Sequence, residues 1–258
     1  MQYIYSGLLL LTTLLWSHRA AADNASLRFC YEDKPLLPFY NGHGDLPAPQ
    51  PGAAIEHLQA VAKAANIELI LIRQPWLRCL AQLEANQIDA LVAEYAIERA
   101  HYMQAPRRPD GEPDANLAMS SFSLCLTYHQ RGELPEKLRQ QQEFTLARPL
   151  GYRPLPLAKP YVEVSADSIS HALELVSTGR VDATTVLCEL NGIAVEPAEL
   201  LLRPLKIYPT PVYHSVGYLM FSKAFYQQNP NLAARIWQQV AQQRDTSRYL
   251  DYLQQPQQ

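Results

Sequence analysis

Apolar positions along the chain alternate between two spacings. Residues 69–72 (Leu-Ile-Leu-Ile) form a short unbroken apolar run, which reads as a buried strand. Residues 76–86 read as a helix with Leu77, Leu80 and Leu83 on one face, and residues 86–92 turn through Ile88-Asp89-Ala90 into another strand. The same order recurs later. Residues 161–164 predict a strand, and Ser165 is placed to cap a helix whose Ile169, Ala172, Leu173 and Val176 fall at i, i+3, i+4 and i+7. Gly179 suits the left-handed position after that helix, and Val181-Asp182-Ala183 opens a strand running through Val186. Each unit also has an earlier strand. Residues 27–31 precede a helix over 54–66 with Ile55, Leu58, Val61, Ala62 and Ala65 on one stripe, and residues 145–147 precede a helix over 150–158.

Two copies of strand–helix–strand–helix–strand predict an α/β fold of two similar lobes with parallel-rich sheets; one larger doubly wound domain is the alternative. Ligands of such sheets bind beyond the carboxyl ends of the strands, so facing lobes make a cleft. Residues 106–116 are a turn-rich loop. Residues 122–128 and 216–221 are the two candidate strands crossing between lobes. The division is then 23–118 with 216–258 for lobe I and 119–215 for lobe II. From Pro230 the chain carries Leu232, Ile236, Trp237 and Val240 at helical spacing, which predicts packing on lobe I. After Asp251 only Tyr252 and Leu253 are apolar, which predicts a frayed end.

Residues 7–16 (GLLLLTTLLW) carry no charge but are too few to span a membrane, and Ala20-Ala21-Ala22 follows. Residues 1–22 therefore read as a secretory signal cleaved after Ala22, leaving a soluble exported protein, although no Lys or Arg precedes the apolar run. Composition narrows the function. The chain has 258 residues, 48% hydrophobic and 18% charged, with a formal charge of −3; it is too apolar for disorder and too acidic for a general nucleic-acid binder. Cys30, Cys79, Cys125 and Cys188 suggest disulfides in an oxidising compartment, and four cysteines allow three pairings. Their spacing is not that of a metal site. The sequence contains no GxSxG, HExxH, Walker or dinucleotide motif, so no catalytic residue, metal or cofactor is assigned.

The segments Asp33-Lys-Pro-Leu-Leu-Pro-Phe39, Pro51-Gly52, Trp76-Leu-Arg-Cys-Leu80 with Ile88-Asp89-Ala90, Ile97-Glu98-Arg99 and Gly179-Arg-Val-Asp-Ala183 are each weak alone. In order and spacing they resemble the bacterial periplasmic solute-binding proteins of family 3, which include the amino-acid receptors of ABC transporters. The resemblance implies the type II periplasmic binding fold, two lobes joined by two hinge strands that close on a ligand. It also implies a monomer that serves an ABC permease in the inner membrane. In family topology the Cys125 strand lies beside the 182–186 strand, which implies Cys125 with Cys188 and Cys30 with Cys79, one pair per lobe.

Arg99 occupies the place where relatives clamp a ligand carboxylate, and a guanidinium fork matches a carboxylate with two parallel hydrogen bonds. Trp76 falls where relatives set an aromatic against the ligand; Asp33 matches a cleft-lining position, with Tyr31 and Phe39 as lesser candidates. Arg148 and Tyr152 sit at the start of the helix expected over 150–158, where backbone N–H groups favour anions. The departures are equally informative. Ala93-Glu94-Tyr95-Ala96 replaces the hydroxyl-rich run before the clamp, so Glu94 is placed to pair with Arg99 or to meet a ligand cation. Leu187 stands where relatives carry the Asp that receives a ligand ammonium. The implied ligand is a small polar molecule with an anionic group. A sensor docking on a membrane signalling partner, or an enzyme like the cyclohexadienyl dehydratases, are the alternatives.

Overall fold

In a computed structural model of the chain, residues 25–158 and 160–254 are described, and the segment 1–22 read as a secretory signal lies outside them. The first half contains β1 (Ser26–Glu32), α1 (Ala53–Ala65), β2 (Glu68–Gln74), α2 (Trp76–Glu84), β3 (Ala90–Glu94) and the short β4 (Met103–Gln104). Then come β5 (Ser120–His129), α3 (Leu134–Arg139), β6 (Phe144–Pro149), β7 (Tyr161–Ala166) and α4 (Ile169–Ser177). β8 (Ala183–Leu190), β9 (Ile193–Ala194) and α5 (Ala198–Leu201) precede the long β10 (Leu205–Ser222). The chain returns to the first half through α6 (Lys223–Gln228), α7 (Pro230–Gln242) and α8 (Thr246–Leu253).

One hydrogen-bonded ladder runs β2-β1-β3-β10-β5-β8-β6-β7. Its two ends are parallel, β1 with β2 and β3, and β6 with β7 and β8. Its middle is antiparallel, because β10 serves both halves: Gly217–Phe221 pair with β3, and Leu205–Gly217 pair with β5. Gly217 is the junction, opposite Glu94 on one side and Ser120 on the other. The two-lobed α/β reading holds, with the lobes sharing one continuous ladder.

Helices cover both faces of each half. In the first, Leu27 and Phe29 of β1 pack with Ile55, Leu58 and Val61 of α1 and with Ile236 and Val240 of α7, all essentially buried. Each such side chain contributes roughly 1.5–3 kcal/mol on burial. Trp237 adds a hydrogen bond from Nε1 to the Leu219 carbonyl at 2.7 Å. The opposite face packs Cys30, Cys79, Leu83, Leu91 and Met220 under α2. In the second half Leu126, Phe144 and Leu146 meet Leu134 and Leu138 of α3, while Ala147 and Ala166 meet Ala172 and Val176 of α4.

The repeated Ile/Val-Asp-Ala motif has one job in both halves. Asp89 Oδ2 accepts from the Arg28 backbone N–H at 2.8 Å, and the Arg28 guanidinium grips both its oxygens at 2.7 and 3.0 Å. Asp182 Oδ2 likewise accepts from the Thr145 N–H at 2.8 Å, and Lys137 meets Oδ1 at 2.8 Å. Each Asp thus pins the start of an inner strand to its parallel neighbour. Burial alone would raise the Asp182 pKa, but the hydrogen bonds from Lys137 and Thr145 outweigh it and hold the carboxyl below its ordinary value.

Several details differ from expectation. Residues 150–158 form no helix; they follow an irregular path through Pro154 and Pro156, whose missing N–H groups and fixed φ angles oppose one. The cap of α4 is Ser168, which accepts from the His171 N–H, while Ser165 lies within β7. On α2 the buried positions are Cys79 and Leu83, and Leu77 is 59% exposed. Leu77 lies about 200° around the helix from Cys79, so the disulfide that turns Cys79 inward turns Leu77 out. The chain end does not fray at 252–253: α8 buries Tyr249, Tyr252 and Leu253, and Tyr252 donates to Glu56 of α1.

Both disulfides form within a half, Cys30–Cys79 and Cys125–Cys188, leaving no free thiol. Peptide mapping should recover those two links, and Cys125→Ser with Cys188→Ser should lower the unfolding free energy by about 2–4 kcal/mol in urea titrations. A second stability test follows from His57, which is fully buried with Nε2 2.9 Å from the Val240 carbonyl and Nδ1 3.0 Å from Tyr249 Oη. A carbonyl only accepts, so Nε2 carries the proton and Nδ1 accepts from Tyr249. Burial lowers the His57 pKa from 6.5 to about 4. The unfolded chain therefore takes up this proton first on acidification, and stability should fall between those two pH values. The group should account for about 3 kcal/mol of that loss. His57→Gln should be less stable at neutral pH but decline less steeply, as read by urea unfolding at stepped pH.

Candidate functional site

The backbone prepares a wall before any charged group is placed. Gly52, at φ 105°, sits so close to the next loop that a Cβ there would lie 2.3 Å from the Phe39 carbonyl oxygen. That approach lets Ala53 and Ala54, opening α1, donate to the carbonyls of Pro38 (2.9 Å) and Phe39 (3.1 Å). The first N–H groups of α1 are thereby spent within the protein, and Phe39 is fixed over Phe122, with ring centroids 5.6 Å apart. This explains the Pro51-Gly52 signature.

A cavity of about 280 Å³ lies where the carboxyl ends of the two sets of parallel strands face each other across β5 and β10. Glu32, Phe39, Trp76, Glu94 and Arg99 line it from the first half, and Arg148, Tyr152, Arg153 and Leu187 from the second. Phe122, Tyr213, Ser215 and Gly217 of the shared strands form its floor. Six of the eight residues singled out from the sequence are therefore brought together: Arg99, Trp76, Glu94, Phe39, Arg148 and Tyr152.

Tyr31 and Asp33 do not line the cavity. Strand alternation puts Tyr31 on the Leu27–Phe29 face, where it is 1% exposed with its ring 5.4 Å from Tyr40 and the Arg73 guanidinium 5.6 Å above it. The same alternation gives the cavity to Glu32, the neighbour of the expected Asp33. The apolar face of β1 contained that signal. Arg153 and Tyr213 were also missed, and neither carries a sequence signal: one comes from the irregular loop after β6, the other from the far half of β10.

The electrostatics are uneven. Glu94 does not pair with Arg99; it accepts from Tyr213 Oη and lies 3.4 Å from Arg153 Nη1, while Arg153 Nη2 reaches Glu98 at 3.0 Å. Burial, reinforced by Glu94, pushes the Tyr213 pKa up to about 12, so its hydroxyl stays a donor. Glu32 accepts from Tyr152 Oη at 2.8 Å. Burial raises the Glu32 pKa, and the Tyr152 hydrogen bond only partly offsets it. Tyr152 and Arg153 thus reach from the second half to the two carboxylates of the first. Nearby, Lys34 donates to the Asp167 carbonyl across the same gap.

The cations are less well provided for. Arg99 forms no ion pair among the described residues. Arg148 is 5% exposed; Nη2 donates to the Arg153 carbonyl, Nε is 3.9 Å from Glu163, and neither Nε nor Nη1 has a hydrogen-bond partner. Burial lowers its pKa, opposed by Glu163. Since residues 150–158 form no helix, Arg148 and Tyr152 act through their side chains and not through a helix terminus. A buried guanidinium with open donors calls for an anion. Leu187 contributes only apolar surface, and Glu189 is turned to Ser123 at 3.3 Å. Among the described residues no group of His, Cys, Asp and Glu is arranged to hold a metal ion, and no helix is long and apolar enough to cross a membrane.

No protein-family model matches the chain, and no curated protein matches it. Solved structures do. One is an amino-acid ABC transporter substrate-binding protein from Streptococcus pneumoniae bound to L-arginine, with 14% identity and a TM-score of 0.62 over 89% of this chain and 93% of that one. Another is the GluR0 ligand-binding core in complex with L-glutamate, with 12% identity and a TM-score of 0.64 over 90% and 99%. A third is a histidine kinase sensor domain with similarity to periplasmic binding proteins, with 14% identity and a TM-score of 0.56 over 89% and 94%. Likeness at these identities carries the fold, and the fold of this chain is that of the two-lobed type II periplasmic binding proteins.

Proposed function

We propose that this protein is a periplasmic solute-binding protein, not an enzyme, that takes up a small carboxylate-bearing solute of amino-acid size. The solute sits between lobe I (23–118 with 216–258) and lobe II (119–215), which close by rotation near residues 119–122 and 213–217. An ABC permease then receives it. The observation that carries this reading is the pair of guanidinium groups lining one cavity, Arg99 from one half with no ion pair among the described residues and Arg148 from the other with two nitrogens lacking hydrogen-bond partners. A solute that meets both ties the halves together, which is how a ligand favours the closed state of a hinged receptor. Aromatic walls at Trp76, Phe39 and Phe122 supply apolar contact for its body. A sensor role is the second reading, favoured by the similarity to a histidine kinase sensor domain. Neighbouring genes separate the two: a permease and ATPase, or a kinase.

Mass spectrometry of small molecules released from the purified protein should detect a carboxylate; a neutral sugar or a cation in its place overturns the reading. Each anion contact by a guanidinium is a charge-assisted hydrogen bond of roughly 1.5–3 kcal/mol. Arg99→Ala should therefore weaken binding of the released compound at least about tenfold, with Arg99→Lys recovering only part, by titration calorimetry. Arg148→Met should cost as much affinity while leaving the melting temperature unchanged or higher, because it removes an incompletely paired buried charge. A drop in melting temperature with unchanged affinity would make Arg148 structural.

A further inference from the structure

Resting on that reading, we infer that the site selects a carboxylate without an α-ammonium group, such as a keto acid, hydroxy acid or dicarboxylate, because Arg153 fills the cation position from within the chain. Three observations meet here. A ligand ammonium needs an acceptor, and the cavity offers two carboxylates, Glu32 and Glu94. Glu94 already faces Arg153 Nη1 at 3.4 Å and takes the Tyr213 hydroxyl. Glu32 already takes the Tyr152 hydroxyl at 2.8 Å, and burial weakens its ionisation.

Leu187, at the opposite wall, adds no acceptor. An ammonium brought to Glu94 would compete with Arg153, a covalently tethered cation, for the same carboxylate. The cation count points the same way. Arg99, Arg148 and Arg153 line the cavity against Glu32 and Glu94; Glu98 and Glu163 pair with Arg153 and Arg148, which leaves Arg99 as the lining cation without an ion pair among the described residues. Arg148 Nη1 has no partner, and Nε has only the Glu163 carboxylate at 3.9 Å, beyond hydrogen-bond distance. Arg153 is also well anchored, because Glu98 holds its other nitrogen at 3.0 Å and Arg148 its carbonyl. Arg153 therefore acts as a specificity determinant: it sets a guanidinium against Glu94 Oε2 whether or not a ligand is present.

The test compares matched acids that differ by the ammonium alone: glutarate with glutamate, 4-methylpentanoate with leucine, and 3-phenylpropanoate with phenylalanine. Titration calorimetry on the wild-type protein should show, in any pair that binds, the acid without nitrogen bound at least about tenfold more tightly. Arg153→Gln exposes Glu94, and it should move that ratio toward the amino acid by at least about tenfold. Arg153 is 40% exposed, so the fold should tolerate the change, and a thermal melt checks it. Equal or tighter binding of the amino acid by the wild type overturns the inference while leaving the solute-binding reading intact. An unchanged ratio in Arg153→Gln overturns the role of Arg153. Failure of all six acids to bind overturns the carboxylate-binding reading itself.

Discussion

Everything in this molecule depends on β10 being long enough to pair twice. Its last residues join the parallel strands of one half and its first residues those of the other, with Gly217 at the changeover. A strand cannot shift register by one residue without turning every side chain to the opposite face, so this double pairing fixes the register in which the two halves are joined. The cavity lies beside that changeover because the carboxyl ends of both parallel sets point there. At Gly217 a Cβ would lie 3.4 Å from Val92 and 3.6 Å from Ser120, an ordinary contact, so its position, not its lack of a side chain, is what matters.

Around that frame the structure separates two kinds of polar burial. Some buried charges are fully answered within the protein. Arg73 donates to the carbonyls of Glu32 and Leu46 at 3.3 and 3.1 Å and also to that of Gly42, tying the loop over 42–46 to β1. Asp89 and Asp182 are likewise saturated. These groups hold the scaffold, since a buried polar group left unpaired costs more than a hydrogen bond gains. Arg148 differs: it is as deeply buried, yet two of its three nitrogens lack hydrogen-bond partners. Arg73, Asp89 and Asp182 are answered by neighbours, whereas Arg148 is left with open donors in a cavity, which is the mark of a binding site.

The carboxylates show the complementary case. Tyr152 and Arg153 are consecutive, come from a segment with no regular structure, and each meets a different carboxylate of the opposite half. The partly exposed Arg153–Glu94 ion pair contributes at most about 1 kcal/mol to stability, and the Tyr152–Glu32 contact is a single hydrogen bond. Their effect on the site is larger, because each contact changes what a bound molecule has to satisfy.

How much of this was legible in the residues depended on range. The periodic stripes of α1, α4 and α7 and the apolar strands β1, β2 and β8 could be read because their burial follows from spacing along a single element. The lobes followed from the repetition of those elements, and the paired cysteines, Arg99, Trp76 and Glu94 from the resemblance of short segments. Local chemistry also misled. Ser165 looked like a cap although Ser168 does the work, Leu77 looked inward until the Cys30–Cys79 link set the rotation of α2, and Asp33 was preferred over Glu32 although strand alternation favoured the latter. The partners of Glu94 could not be read at all, since Tyr213 and Arg153 meet it only when a distant strand and an irregular loop are brought beside β3. Sequence by itself determined which faces must be buried, because hydrophobic spacing is a property of one segment. Only the tertiary structure decided which charges are answered and which are left open, because that depends on what other segments bring within hydrogen-bonding distance.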